Sequence, residues 1–208
     1  AMKPLKKVIL PFLLVPIVLG VVADLGMSIM VTLTFMVFML NIVFAITEKS
    51  NFHKLYGTLP IKQSSSILSR YLFSLIAIGI TAILSFAIFV ILSIITKSRI
   101  DWIYGIQFLA LSILIAVLFI SVQYPFYFKF EYTKASIMAI LPYIVCFAIG
   151  IPLMNYFMNN QNFYKHIMSI VNYFSSNTLA YLLMIFVLSF LAITGSYLLS
   201  KKIQKKEF

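Results

Sequence analysis

Apolar residues fall into six long runs separated by short polar connections: Val8–Ala23, Met27–Ile46, Tyr71–Ile95, Gly105–Tyr124, Ser136–Met154 and Thr178–Ser200. Inside them the apolar positions are nearly continuous rather than confined to one stripe, so each run predicts a helix that is hydrophobic on all sides. A helix crosses the hydrocarbon of a bilayer in about 20 residues, with a range of roughly 17–25. Five runs meet that length. The first is short and carries Pro11 and Pro16; Pro11 suits a first turn, while Pro16 predicts a kink. Only Asp24, Leu25 and Gly26 separate the first two runs, which predicts a tight helical hairpin. The expected architecture is an all-α integral membrane protein: one transmembrane domain over residues 1–208 with six spans.

The connections have their own patterns. In Thr47–Arg70, the residues Phe52, Leu55, Tyr56 and Leu59 recur at helical spacing before Gly57 and Pro60 end the turn, and Ser64, Ser65 or Ser66 can cap the helix of the third run. This predicts a short amphipathic helix on the membrane surface. In 155–177, Phe163, Ile167, Ile170, Val171 and Phe174 line one face, with Lys165, His166, Ser169 and Asn172 elsewhere. That suits an outer amphipathic helix lying in the interface or capping a pathway.

Composition supports lipid as the solvent. Of 208 residues 62% are hydrophobic and 10% charged, against about a quarter charged in soluble domains. The net charge of +11 is spread between runs instead of forming one basic face, so it marks topology and not nucleic-acid binding. With the N-terminus inside, the inner segments 1–7, 47–70, 125–135 and 201–208 hold 13 Lys and Arg residues, while the outer ones hold only Lys97, Arg99 and Lys165. Positively charged residues favour the cytoplasmic side, so both termini are expected there. The first run lacks the cleavage site of a signal peptide. The one cysteine, Cys146, excludes a disulfide within the chain and suits a small buried apolar residue.

Candidate chemistry is sparse. Asp24, Glu48, Asp101, Glu131 and Glu207 all fall at or beyond span ends, and His53 and His166 lie on opposite sides. A proton- or sodium-coupled carrier needs an ionisable group within a span. Neither a phosphate-binding glycine loop nor a metalloprotease His/Glu pair occurs, so neither bound ATP nor a metal is expected in this chain. The polar residues within spans are mild. Ser74, Thr81 and Ser85 share one face of the third, and Thr34 and Asn41 share one of the second. Such residues tie helices together; a substrate path for amphipathic or apolar cargo is the sharper alternative.

Asn51-Phe52-His53-Lys54-Leu55-Tyr56-Gly57-Thr58-Leu59-Pro60-Ile61 followed by Ser69-Arg70-Tyr71-Leu72 resembles the segment between the second and third spans of small ABC-2-type ABC transporter permeases. Glu48, Leu59, Pro60, Ile61, Arg70, Tyr71 and Leu72 match its pattern of an acidic residue, a Leu-Pro turn and a basic-aromatic start to the third span. Tyr124–Phe130 is similar to the family's motif after the fourth span, except that Glu131 stands where Gly is usual. The family's inner-surface helix ahead of the first span is here only Ala1–Lys7. Within the family the chain resembles the smaller permease of bacterial exporters of amphipathic cytolytic peptides, the phenol-soluble modulin transporters. The resemblance implies a type V exporter-like fold in the bacterial cytoplasmic membrane and a cytoplasmic ATPase partner that carries ATP and Mg. It also implies a second permease chain, identical or not. Glu48, Asn51, Phe52, Lys54, Leu55, Tyr56, Leu59 and Pro60 would contact the ATPase. A secondary transporter or lipid flippase without an ATPase, and a membrane enzyme, remain the alternatives.

Overall fold

The computed structural model describes residues 15–22, 24–49, 63–96, 101–130, 132–160, 165, 169, 173 and 177–204. Every regular element among them is α-helical: α1 (15–22), α2 (Leu25–Lys49), α3 (Gln63–Ile95), α4 (Trp102–Lys129), α5 (Tyr132–Asn159) and α6 (Thr178–Gln204). Among the described residues α3, α4 and α6 are each long and apolar enough to cross a membrane.

The helices overrun the apolar runs, and each overrun has a physical cause. Helix α3 includes Ser64, Ser65 and Ser66, which were expected to cap it. Ser69 donates to the Ser66 carbonyl at 2.8 Å, so polar residues continue the helix by bonding to it. At 33 residues, α3 is about 50 Å long, well beyond the hydrocarbon thickness. The segment 125–135, read as a connection, is mostly helix: α4 continues through Pro125 to Lys129 and α5 begins at Tyr132. Likewise 155–159 closes α5 rather than opening a separate outer helix. Lys165, Ser169 and Tyr173, four residues apart, are helical and exposed. The apolar face expected there lies outside the described residues.

Caps define two helix starts. Asp101 accepts the Tyr104 backbone N–H at 3.1 Å and opens α4, as a carboxylate does at the donor-rich end of a helix. At the start of α6 the Asn177 side-chain oxygen accepts the Ala180 backbone N–H at 3.5 Å.

The chain divides into two compact units, residues 1–120 and 121–208, with the boundary inside α4. In the first, α2 packs along α3. Ser28, Ile29, Thr32, Leu33, Val37 and Leu40 form the buried face of α2, and Ile67, Tyr71, Ser74, Ile78, Thr81, Ser85, Phe89 and Leu92 that of α3. The opposite side of α3 exposes Leu72, Phe73, Ile76, Ile80, Ile83 and Leu84. In the second unit α6 buries only Ile185, Ser196 and Ser200 among its residues and exposes Leu179, Leu183, Phe186, Phe190 and Leu191. Soluble monomers rarely expose contiguous apolar surface on this scale. Among the described residues of each unit the buried positions are few and partly polar while the exposed ones are many and apolar, which is the distribution lipid selects.

Candidate functional site

In water, a buried serine or threonine needs a partner; in an apolar helix it finds one in its own backbone. Ser74 donates to the Tyr71 carbonyl at 2.8 Å, Thr81 to Ala77 at 2.9 Å and Ile78 at 3.0 Å, and Ser85 to Ala82 at 2.9 Å. All three are buried on the face of α3 that carries its packing residues. On α2, Thr34 is half-buried and donates to Met30 at 2.7 Å. Asn41 is also half-buried, but its Oδ1 is enclosed and accepts no hydrogen bond. Of the residues expected to touch an ATPase, Glu48 lies in the last turn of α2, with its side chain outside the described residues. Asn51, Phe52, Lys54, Leu55, Tyr56, Leu59 and Pro60 lie outside them altogether.

Deeper on α2 are Ser28 and Thr32, which donate to Leu25 at 2.7 Å and to Ser28 at 2.6 Å. Both are fully buried, more so than Thr34 or Asn41. Their four-residue spacing was the available signal.

Glycines let the helices of this unit approach closely. A Cβ on Gly20 would stand 2.8 Å from Leu92 Cδ1 and from Ser28 Cβ. One on Gly105 would stand 2.8 Å from Phe89 Cε1, and one on Gly26 2.9 Å from Phe108 Cγ and 2.8 Å from the Tyr104 hydroxyl. That hydroxyl donates to the Asp24 carboxylate, fastening the turn between α1 and α2 to the first turn of α4. Asp24, at a span end by sequence, is therefore a tie between helix ends.

The second unit holds a different polar device. Proline has no N–H, so Pro125 inside α4 leaves the carbonyl of Ser121, four residues earlier, without its usual helical donor. Ser196 of α6 supplies one: its hydroxyl donates to the Ser121 carbonyl at 2.6 Å. Two residues on, the fully buried Gln123 donates through Nε2 to the Ala139 carbonyl of α5 at 3.0 Å. Three helices are thus joined at one level by side-chain donors aimed at backbone carbonyls, as membrane interiors require around a proline. Ser189, Ser196 and Ser200 repeat the spacing of Ser74, Thr81 and Ser85, a signal that sequence inspection passed over.

Among the described residues no three His, Cys, Asp or Glu side chains gather as a metal site. Among the described residues the buried polar side chains are hydroxyls and amides, which suit helix packing. A family model for ABC-2 family transporter proteins matches residues 1–205. The chain belongs to the ABC-2 transporter family. No curated protein and no solved structure matches it. As an ABC-2 permease component it is a membrane protein, and family membership implies an ATPase subunit as partner. The hydroxyl-lined faces, the glycine contacts and the proline tie of this ABC-2 chain are therefore features of a membrane-embedded transport subunit.

Proposed function

We propose that the chain is the membrane-spanning permease subunit of an ATP-driven exporter of amphipathic or hydrophobic substrates, including membrane-active peptides. The observation that supports it best is the family match along nearly the whole chain. Interior faces that carry hydroxyls and amides but no described charge add the cargo class. In this reading six spans place both termini in the cytoplasm of a bacterial cell. A second permease chain completes the path, and ATP with Mg acts on the partner, so this chain itself hydrolyses nothing. The narrower likeness to phenol-soluble modulin exporters rests on sequence resemblance alone and makes cytolytic peptides the first cargo to try.

The segment around Asn51–Tyr56 would dock in a cleft of the ATPase. Closure of the ATPases on ATP would push that segment, and α3, which begins a few residues later at Gln63, would carry the push as a rigid rod. Packed helices respond to such a push by switching between discrete arrangements.

Co-expression with the ATPase should protect cells from an amphipathic peptide, and ATP should be required for uptake of that peptide into inverted vesicles. Uptake driven by a pH or sodium gradient without nucleotide would refute both cargo and class.

Topology has its own test. In a Cys146→Ser background, single cysteines at Lys97 and Lys165 should react with an impermeant thiol reagent in intact cells, while those at Lys62 and Lys134 should react only after permeabilisation. The basis is the 13-to-3 distribution of basic residues. Labelling at 62 in intact cells sinks the orientation.

A further inference from the structure

The second unit gathers lysines at one end. Lys129 lies in the last turn of α4, Lys201 and Lys202 in the last turn of α6, and Lys134 at the third position of α5. The contacts between these helices set their relative heights. Ser196 meets Ser121, and Gln123 meets Ala139. Along α4, Lys129 is eight residues beyond Ser121; along α6, Lys201 and Lys202 are five and six beyond Ser196. Along the returning α5, Lys134 is five residues before Ala139. At a rise of 1.5 Å per residue, with α4 and α6 parallel as the topology proposed above requires, all four lie about 8–12 Å past the Ser121–Ser196 contact. The antiparallel alternative would bury Lys201 and Lys202 at mid-membrane depth, a placement that is costly for a charge.

These lysines at one level have no described counter-charge. None of the described residues of the unit is acidic; Glu131 and Glu207 lie outside them. Over the whole sequence of that end, Lys129, Lys134, Lys201, Lys202, Lys205 and Lys206 stand against those two carboxylates. Lys129 and Lys134 are exposed, as is Lys202. The Lys129 ammonium sits 5.0 Å from the centre of the Phe130 ring, within cation–π range. Lysines in the last turns of α4 and α6 complement the negative ends of those helices, but Lys134 stands in the first turn of α5, where the helix itself favours an anion. Basic clusters at the cytoplasmic border between spans recognise anionic lipid headgroups.

We propose that Lys129, Lys134, Lys201 and Lys202 hold the phosphate headgroup of an anionic phospholipid at the inner end of the second unit. The lipid bridges α4, α5 and α6 there, its acyl chains lying on the apolar outer face of α6. The site rests on the inner placement of that end.

The test uses the full chain in bilayer discs of phosphatidylcholine, with or without phosphatidylglycerol in both leaflets. Phosphatidylglycerol retained after detergent exchange is counted by mass spectrometry, and thermal unfolding is followed in parallel. Wild type should retain the lipid and unfold at higher temperature with it. The variant Lys129→Gln/Lys134→Gln/Lys201→Gln/Lys202→Gln should retain at least about tenfold less. Removing other inner-side charges, Lys49→Gln/Lys54→Gln/Lys62→Gln, should change retention less than about twofold. Pairwise Gln variants give graded losses should the fourfold variant fail to insert, and the four Lys→Arg changes should keep the lipid. Equal loss in the control variant would reduce the effect to general surface potential and overturn the site. Protection by inorganic phosphate equal to that by lipid would assign it to free phosphate instead. Unchanged lipid retention with lost copurification of the ATPase would assign the lysines to that partner. Since both leaflets carry the same lipid, failure of the topology and failure of the site give different results.

Discussion

Tyr56→Asp is expected to cut ATP-driven activity while leaving expression and membrane insertion intact. Phe52, Leu55, Tyr56 and Leu59 share one face of a short helical pattern, too small to anchor a helix alone. Burying one large apolar side chain contributes about 1.5–3 kcal/mol, so several together can hold a protein contact. A carboxylate placed in a protein cleft would lose that contribution and add an unpaired buried charge. At a lipid surface the same change would only loosen a connection. Two measurements on wild type and variant separate these cases: stimulation of ATP hydrolysis by the reconstituted permease, and copurification of the ATPase. If a properly inserted Tyr56→Asp protein changes neither, this segment does not couple the two subunits.

The second large effect concerns the tie at Pro125. Ser196→Ala should destabilise the chain by about 1–3 kcal/mol, because it strands a carbonyl that its own helix cannot satisfy. The same substitution in a Pro125→Ala background should be nearly silent, since residue 125 then regains the N–H that serves Ser121. The coupling between the two positions, read from unfolding in mixed micelles of the four proteins of the cycle, should be positive and of the same size as the single loss. An equal loss in both backgrounds would show that Ser196 acts through packing and not through the Ser121 carbonyl.

Much of the fold was legible because lipid makes a simple demand. Tyr71–Ile95, Gly105–Tyr124 and Thr178–Ser200 each lie inside a described helix that can cross a membrane. Their ends were not legible, since hydropathy reports the solvent around a helix and not where the hydrogen-bond ladder stops. The serines at 64–66 and the aromatic stretch after Pro125 are polar or interfacial in character yet helical in backbone. Ser74, Thr81 and Ser85 could be found from spacing along one helix. Ser196 could not be matched to Ser121, nor Tyr104 to Asp24, because each pair is made by tertiary packing across 75 and 80 residues of chain. The coupling role proposed for Asn51–Pro60 came from family resemblance alone, since these residues lie outside the described ones.

The uneven burial of α6 bears on how freely its sequence can drift. Leu179, Leu183, Phe186, Val187, Phe190, Leu191, Leu198 and Leu199 all point outward. Lipid does not discriminate between one aliphatic or aromatic side chain and another of similar size. Exchange among Leu, Ile, Val, Met and Phe at these positions should therefore be nearly silent in a saturation library. Ile185, Ser196 and Ser200 are buried and have shape or hydrogen-bonding to preserve. Ahead of its terminal lysines, the last helix should record its packing as intolerance at Ile185, Ser196 and Ser200 set among permissive outward positions, an imprint that would reveal its inward face with no structure in hand.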